Sequence, residues 1–245
     1  MADAADAITL PRFRAADLVV DTKPDLTPVT EVDRAAEVAL RAIIASERPG
    51  HGVLGEEFGD DPGDGDCRWV LDPLDGTKNF VRGIPVWATL IALEEGGRIT
   101  AGVVSAPALG RRWWAARGEG AWADGRPIRV SAVESIADAQ LSYDSVPEFD
   151  ARGLTASFLA LARDCWRTRG YGDFWSHVLV AEGAFDIAVE PEVEYWDMAA
   201  VQVIVEEAGG RFSDLSGSPR ADGGSALATN GLLHDEVLAA LSPTA

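Results

Sequence analysis

Two aspartates, Asp72 and Asp75, stand three residues apart directly after the apolar run 69–71. Such a run is typical of a buried strand. Pro73 favours an extended conformation at Asp72, and Gly76 permits a tight turn after Asp75. Two carboxylates on one turn repel each other unless a cation lies between them. Because hard oxygen ligands suit Mg²⁺, we predict a magnesium site at this turn.

The residues after the second aspartate have the types that bind an anion. The amides of Gly76 and Thr77 could open a helix or a nest directed at a phosphate, so that metal and phosphate would meet at one turn. The alternative is an ordinary surface turn, because Asp-Pro and Asp-Gly sequences favour turns in any context. The segment by itself does not decide between these interpretations.

Three further acidic residues occupy comparable positions, at a strand end or a helix start. Glu56 follows a short apolar segment, Asp197 precedes a long apolar helix, and Asp33 lies three residues after Thr30 at the start of another helix. Each also has a plain structural explanation. Glu56 could be solvated charge, Asp197 could be a helix N-cap, and Thr30 with Asp33 could form a capping box.

The pattern of apolar residues predicts the elements that would carry these side chains. A helix over 2–20, interrupted near Pro11, precedes the helix that begins at Thr30. The strands and hairpins predicted next are 53–54, 69–71, 86–105 and 112–123, and the later elements are strands at 139–143 and 185–189 with helices at 151–165, 175–182 and 199–208. We place a boundary near residue 132. Residues 1–132 would form an N-terminal α+β half with the metal-binding motifs, and 133–245 a C-terminal α/β half that completes the site.

Composition limits the possible functions. The chain has 245 residues, of which 47% are hydrophobic and 25% charged, which predicts a folded globular protein. Its net charge of −19 argues against non-specific binding to nucleic acid or to an anionic membrane. Two cysteines without framework spacing, and an acidic start unlike a signal peptide, indicate a reduced cytoplasmic protein without a membrane span.

Taken together, the acidic motifs match a known pattern. The chain resembles the inositol monophosphatase family in Pro-Val-Thr-Glu-Val-Asp at 28–33, Gly-Glu-Glu at 55–57, Asp-Pro-Leu-Asp-Gly-Thr at 72–77, Trp-Asp at 196–197 and Glu-Glu-Ala-Gly-Gly at 206–210. These enzymes are Mg²⁺-dependent, lithium-sensitive phosphomonoesterases. The resemblance covers nearly the whole chain, although the first helix is shorter than usual. It implies an α+β fold, a layered α-β-α-β-α sandwich of the sugar-phosphatase type, and a homodimer.

The resemblance also implies which residues bind metal. Glu56, Asp72 and the backbone carbonyl of Leu74 would hold one Mg²⁺. Asp72 would bridge to a second Mg²⁺, held together with Asp75 and Asp197. A third, weaker Mg²⁺ would lie near Glu56. Four carboxylates against two or three divalent cations bring such a site near neutrality, which explains how so acidic a chain could bind a phosphate.

For the reaction itself, the resemblance assigns phosphate oxygens to the amides of Gly76 and Thr77. The Thr77 hydroxyl, paired with Asp33, would orient and help deprotonate the attacking water. The metal ions would neutralise the charge of the phosphate and stabilise the leaving alkoxide.

Residues beyond the metal motifs must select the alcohol. Inositol phosphatases usually carry a small-residue sequence where this chain has Arg-Gly-Tyr-Gly-Asp-Phe-Trp at 169–175. That variant resembles the histidinol-phosphate phosphatase branch of the family, and Glu190 matches the position at which family members contact the polar groups of the substrate. The implied reaction is the hydrolysis of L-histidinol phosphate, a phosphate monoester, to L-histidinol and phosphate in histidine biosynthesis.

The chemistry of this substrate agrees with the acidic residues. L-Histidinol phosphate carries an ammonium group and an imidazole that titrates near neutral pH, and a pocket with Asp173 and Glu190 would complement both. Asp173 could instead cap a helix that starts at Phe174, and the aromatic side chains there could be core or pocket wall. An inositol-1-monophosphatase, a broader sugar-phosphate phosphatase and an inactive metal-binding protein are the alternatives. His177 could approach the site.

Overall fold

A computed structural model describes residues 1–22 and 28–242. Within these ranges the helices are α1 (Ala2–Thr9), α2 (Glu31–Glu47), α3 (Thr77–Val81), α4 (Val146–Ala151), α5 (Thr155–Asp164), α6 (Asp173–Ala181), α7 (Tyr195–Glu207) and α8 (His234–Leu241). The strands are β1 (Val20–Thr22), β2 (Pro28–Thr30), β3 (Gly52–Gly55), β4 (Gly59–Asp61), β5 (Cys67–Asp75), β6 (Ala88–Glu95), β7 (Arg98–Ala106), β8 (Arg111–Ala116), β9 (Ala121–Ala123), β10 (Arg126–Ile128), β11 (Gln140–Tyr143), β12 (Arg167–Arg169), β13 (Ile187–Glu190), β14 (Arg211–Ser213) and β15 (Ala226–Thr229).

These strands form two large sheets and a two-stranded ribbon, β1-β2. The eight-stranded sheet has the order β10-β9-β8-β7-β6-β5-β3-β4, and the five-stranded sheet has the order β12-β11-β13-β15-β14. In the larger sheet β3 and β5 run parallel, whereas β5, β6, β7 and β8 pair in antiparallel succession. The parallel pair matters for the site, because the carboxyl ends of parallel strands reach the same edge of a sheet.

Alternation of side chains along the regular parts of the strands separates the faces of each sheet. In β5, Val70 packs in the central core and Leu71 in the outer one. In β13, Ala188 faces the central core, while Ile187 and Val189 face the opposite side.

The result is five layers. Helices α1 and α2 cover the outer face of the eight-stranded sheet, and α6 and α7 lie between the two sheets. Helices α4, α5 and α8 cover the outer face of the five-stranded sheet. The predicted layered α-β-α-β-α fold is confirmed. The larger sheet spans 52–128 and the smaller one 140–229, while the division of the chain near residue 132 stays a prediction.

Two predicted helices differ from the structure. The helix expected over 2–20 ends at Thr9, because Pro11 lacks the N–H that an α-helix needs and the chain continues as a 3₁₀ turn, Leu10–Arg12. The helix expected over 151–165 is two helices, α4 and α5. The amide of Leu154 bonds back to the carbonyl of Phe149 at 2.7 Å, which closes the first helix before the second begins.

In the described part of the chain, we find no helix that combines the length and the apolar character needed to cross a membrane.

Candidate active site

Strand β5 carries Asp72 and Asp75 within its pairing to β6 rather than on a turn after it, so the predicted strand end was placed too early. Asp72 lies opposite Leu90 and Asp75 opposite Ala88, so three steps on β5 match two steps on β6. On a regular strand, residues three apart point to opposite faces. The extra residue forms a bulge that brings both carboxylates to one side.

Asp197 completes a cluster of three carboxylates. One oxygen each of Asp72, Asp75 and Asp197 lies within 4.8 Å of the others. Asp72 is 2% exposed and Asp75 is 8% exposed. Burial, together with the charges of neighbouring carboxylates, holds the pKa of both aspartates well above the ordinary value, and the same causes raise the pKa of Asp197 to about 8.

Glu56 lies beside this cluster because of the parallel pairing of β3 with β5. Gly55 at the end of β3 is the partner of Leu71, and the amide of Glu56 donates to the Leu71 carbonyl at 3.2 Å. After burial, the charge of Glu56 is the largest cause that raises the pKa of Asp72, and it also raises that of Asp197. Its carboxylate is therefore near both of these residues.

These residues suit a hard divalent cation. The donor atoms are carboxylate oxygens, which Mg²⁺ prefers. The negative charges of these groups raise one another's pKa, and this repulsion is what a bound cation relieves. The arrangement thus fits the metal that the sequence predicts.

Asp33 and Thr77 meet next to the cluster. The Thr77 hydroxyl lies 3.1 Å from Oδ1 of Asp33 and 3.0 Å from the carbonyl oxygen of Leu74, so it can donate to either. Oδ2 of Asp33 accepts the backbone N–H of Thr30 at 3.0 Å. Asp33 is 1% exposed, and its burial raises its pKa. The pairing of Asp33 with Thr77 that the sequence suggested is present.

The capping alternatives turn out to be compatible with a role in the site. Asp33 closes a capping box with Thr30 at the start of α2. Asp197 does the same on α7, where its Oδ2 accepts the N–H of Glu194 at 2.8 Å. The suggestion that Asp197 is itself the N-cap is wrong, since Glu194 occupies that position. In both cases the cap fixes one carboxylate oxygen and thereby the direction of the other.

Gly76 makes the turn from β5 into α3. Its φ of +81° lies in the left-handed region that favours glycine, and a Cβ at this position would lie 2.9 Å from the Val86 carbonyl oxygen. Helix α3 begins directly afterwards at Thr77. The first amides of a helix have no partner within it, so those of Gly76 and Thr77 remain predicted anion donors.

Helix α6 joins the second half of the chain to the cluster. The amide of Phe174 donates to Oδ2 of Asp75 at 2.7 Å. Asp173 is the first residue of α6 and makes no side-chain cap, so the capping alternative for this residue is wrong. Its Oδ2 instead accepts the side-chain amide of Asn79 at 2.8 Å. Phe174 is fully buried in the central core and Trp175 packs against Tyr171, so these aromatic rings serve packing.

A cleft of about 380 Å³ opens from the cluster. Lys78 is the one basic side chain among the described residues that line this cleft, and the acidic ones are Asp75, Asp144, Glu148, Asp173, Glu190, Glu192, Glu194 and Asp197. Burial and the charges of neighbouring carboxylates raise the pKa of Asp173 to about 8 and that of Glu148 to about 8. The cleft is therefore a strongly acidic pocket next to the candidate metal ligands.

Some of these residues were missed in the sequence. Asp144 directly follows β11 (Gln140–Tyr143), which is the strand-end position that identified Glu56, and it could have been found in the same way. Gly172 accommodates it, because a Cβ there would lie 2.0 Å from Oδ1 of Asp144. Lys78 adjoins the Asp-Gly-Thr motif. Glu148 lies on α4, and no spacing relates it to the other acidic residues.

The model of the inositol monophosphatase family matches residues 1–244. A histidinol-phosphatase from Mycobacterium tuberculosis is 57% identical over 247 residues, covering 99% of this chain and 95% of the relative. A histidinol-phosphatase from Streptomyces coelicolor is 52% identical over 251 residues, covering 99% and 94%.

Solved structures agree with the sequence relatives. The crystal structure of the extragenic suppressor protein suhB from Bartonella henselae superposes with a TM-score of 0.91 at 30% sequence identity, covering 100% of this chain and 96% of that one. The predicted fold, the predicted family and the predicted class of phosphoric monoester hydrolase are confirmed. The chain belongs to the inositol monophosphatase family.

Proposed function

We propose that this chain hydrolyses L-histidinol phosphate to L-histidinol and phosphate in a Mg²⁺-dependent reaction. The observation that carries the proposal is the acidic cleft, which joins a cluster of oxygen ligands at one end to a carboxylate-lined pocket at the other. The names of the two relatives, both histidinol-phosphatases at more than half identity, support the same substrate.

Five residues are proposed to hold two or three Mg²⁺ ions. They are Glu56, Asp72, Leu74 through its backbone carbonyl, Asp75 and Asp197. Bound Mg²⁺ would supply neutralising charge to the phosphate and acidify a water. Burial of the carboxylates close together raises the pKa of Asp72 and of Asp75, and a bound cation would favour their ionised, metal-binding form.

Thr77 and Asp33 are proposed to position the attacking water. When the Thr77 hydroxyl donates to Oδ1 of Asp33, its oxygen is free to accept a hydrogen bond from a water in the cleft. Asp33 has a raised pKa, so it is suited to receive the proton that Thr77 passes on. The fixed cap at Thr30 keeps Oδ1 directed at Thr77 during this transfer.

The phosphate is proposed to lie against the amides of Gly76 and Thr77. Lys78 adds an ammonium group at the same turn, on the wall of the cleft. The ester bond would then point away from this turn, because the cleft continues from Asp75 toward Asp173 and Glu190.

The alcohol would occupy the acidic part of the cleft. Asp173 and Glu190 face it, and Asp144 adds a carboxylate that the sequence did not identify. An ammonium group and a protonated imidazole would relieve the repulsion among these groups, which a neutral polyol cannot do. This difference favours L-histidinol phosphate over inositol 1-phosphate or other sugar phosphates.

The family resemblance supports further properties of this enzyme. We propose that it forms a homodimer, is inhibited by Li⁺, and acts in the cytoplasm in histidine biosynthesis. Size determination in solution, inhibition by LiCl and complementation of a histidine auxotroph that lacks this activity would test these points separately.

A phosphate-release assay with Mg²⁺ tests the proposed substrate. We expect the kcat/KM for L-histidinol phosphate to exceed that for inositol 1-phosphate, fructose 1,6-bisphosphate and adenosine 3′,5′-bisphosphate by about 100-fold or more. Asp173→Ser should raise the KM for L-histidinol phosphate far more than the KM for inositol 1-phosphate. Asp150→Ser, at an exposed aspartate outside the cleft, is the matched control. A preference of the wild type for inositol 1-phosphate would support the alternative instead.

A further inference from the structure

His177 is a buried histidine beside the carboxylate of Glu190. It lies on α6, is 0% exposed, and in the described part of the chain neither ring nitrogen has an aligned hydrogen-bond partner. Its Nε2 lies 3.2 Å from Oε1 of Glu190, within ion-pair distance. Otherwise its ring adjoins Phe212, with 6.2 Å between the ring centroids.

Burial keeps this imidazole neutral, since it lowers the pKa of His177 to about 4. A neutral imidazole carries one N–H, which an acceptor attracts to the nitrogen facing it. Glu190 supplies that acceptor at Nε2, so the favoured tautomer has its proton on Nε2. An apolar side chain of similar size would avoid the cost of two poorly satisfied nitrogens, so packing does not explain a histidine here.

Glu190 connects this histidine to the cleft. It ends β13, is 5% exposed and lines the cleft. Its Oε1 is buried toward His177, so the exposed part of the carboxylate is the part that faces the cleft. The charge of Asp144 raises the pKa of Glu190, and the charge of Glu190 raises the pKa of Asp75 and of Asp173.

We propose that His177 is a positioning residue that selects for a cationic alcohol: its Nε2, 3.2 Å from Oε1 of Glu190, turns its N–H toward that oxygen and so directs the other carboxylate oxygen into the cleft. The inference deepens the proposed function and rests on it for the identity of the ester. Burial and the charge of Asp144 raise the pKa of Glu190, so its ionised form needs a neutral or positive donor beside it. Among the described residues His177 places such a donor 3.2 Å from Oε1. A cation in the cleft then meets a carboxylate that is already oriented.

Two substitutions at His177 separate this role from packing. His177→Leu keeps an apolar side chain of similar size and removes the donor, whereas His177→Gln retains an N–H. We expect His177→Leu to raise the KM for L-histidinol phosphate by about tenfold, with less than about a twofold change for inositol 1-phosphate. His177→Gln should recover part of the loss, and kcat should change less than KM.

The control for disturbance of α6 is Ser176→Ala. It removes a buried hydrogen bond to Ser142, 2.7 Å long, from the neighbouring position on the same helix. We expect Ser176→Ala to lower the melting temperature and to leave the ratio of the two KM values unchanged. We expect His177→Leu to keep or raise the melting temperature while changing that ratio.

A double-mutant cycle with Glu190→Gln tests whether His177 acts through Glu190. If it does, His177→Leu has little further effect on the KM for L-histidinol phosphate in the Glu190→Gln protein. Full additivity of the two changes would overturn the proposal, and so would equal KM changes for both esters.

A spectroscopic measurement makes the inference independent of the substrate assignment. The chain has three histidines, so ¹⁵N–¹H spectra of the labelled imidazoles can be assigned by loss of one signal in His177→Gln. We expect a neutral His177 protonated at Nε2, with a proton shift that moves in Glu190→Gln. An unchanged His177 signal in Glu190→Gln would refute the pairing of His177 with Glu190. A phosphatase that hydrolyses other esters but not L-histidinol phosphate would refute the proposed function alone.

Discussion

The hydroxyl of Thr77 lies 3.1 Å from Oδ1 of Asp33, while Oδ2 of the same carboxylate caps helix α2 through the N–H of Thr30. One aspartate therefore anchors a helix and lies within hydrogen-bond distance of a hydroxyl two residues after Asp75. Asp197 repeats the arrangement on α7. The site uses the rigidity of two helix starts to fix the direction of its carboxylates.

Thr77→Val tests the hydroxyl. Valine has nearly the same shape and cannot orient or deprotonate a water, so we expect kcat to fall by about 100-fold to 10,000-fold. Mg²⁺ should still raise the melting temperature, because none of the proposed carboxylate ligands is changed. Thr77→Ser retains a hydroxyl and should keep most of the activity. Phosphate release at saturating Mg²⁺ measures kcat for both variants. A normal kcat in Thr77→Val would show that the hydroxyl takes no part in the reaction.

Asp75→Asn tests the metal cluster without relying on turnover. Burial and the charges of Asp173 and Asp197 raise the pKa of Asp75, so its ionised form destabilises the metal-free fold. We expect the variant in EDTA to melt at or above the wild-type temperature. Mg²⁺ at about 100 times its Kd stabilises a folded protein by about 2.7 kcal/mol. The variant should lose most of the rise in melting temperature that Mg²⁺ gives the wild type.

The matched control for this change is Asp235→Asn, at an aspartate whose side chain is 83% exposed and which pairs with Arg211. It should keep the wild-type response to Mg²⁺. Differential scanning calorimetry with and without Mg²⁺ measures all three proteins. If Asp75→Asn responded to Mg²⁺ as the wild type does, Asp75 would not be a ligand.

Asp144→Asn tests whether the acidic pocket extends beyond the residues that the sequence identified. Asp144 lines the cleft and its charge raises the pKa of Glu190 and Asp173. We expect the KM for L-histidinol phosphate to rise by about threefold to tenfold, more at low salt than at high salt, because the attraction is electrostatic. Steady-state kinetics at two salt concentrations measure this, and an unchanged KM at both would exclude a contact with the cationic alcohol.

His234 provides a prediction about pH and stability outside the cleft. It is 0% exposed, and its Nε2 and Nδ1 lie 2.9 Å and 3.0 Å from the hydroxyls of Ser213 and Thr229. Ser213 donates to the Asp214 carbonyl and Thr229 accepts the N–H of Gly231. Ser213 is thus the acceptor of Nε2–H, and Thr229 can donate to Nδ1 of the neutral ring. A second ring proton, on Nδ1, would displace that donated hydrogen bond.

Burial lowers the pKa of His234 to about 4, from the ordinary value of 6.5. The unfolded chain then binds more protons than the folded one between these pH values, so this contribution is complete above pH 6.5 and is lost as pH falls toward 4. Relative to His234→Gln, the free energy of unfolding of the wild type should drop by about 3 kcal/mol from pH 7 to pH 4. Urea unfolding at several pH values measures this difference. The control is His51→Gln, at a half-buried histidine, which should keep the pH dependence of the wild type.

Much of the site could be predicted from local sequence. Asp72, Asp75, Glu56 and Asp197 each follow or open a hydrophobic element, and Asp33 lies in a recognisable capping box. Such signals are local because a strand end or a helix start is set by neighbouring residues. The bulge in β5 was not predicted, because it depends on the pairing with β6, a partner that local patterns do not identify.

The acidic pocket required the tertiary structure. Asp144, Glu148 and Lys78 are separated along the chain from Asp173 and Glu190, and no periodicity relates them. They meet because β11 and β13 pair in parallel and because α6 is tied to Asp75 through the amide of Phe174. In the sequence, nothing distinguishes His177 from an ordinary core residue. Only the tertiary structure places its Nε2 3.2 Å from Oε1 of Glu190.

The sequence by itself therefore determined the class of reaction, phosphoric monoester hydrolysis, because its acidic motifs in this order resemble those of the inositol monophosphatase family. Only the tertiary structure placed Asp144 and Glu148 in the same cleft as Asp173 and Glu190. Long-range packing brings those side chains together, and the energy of one carboxylate in the cleft depends on all the others.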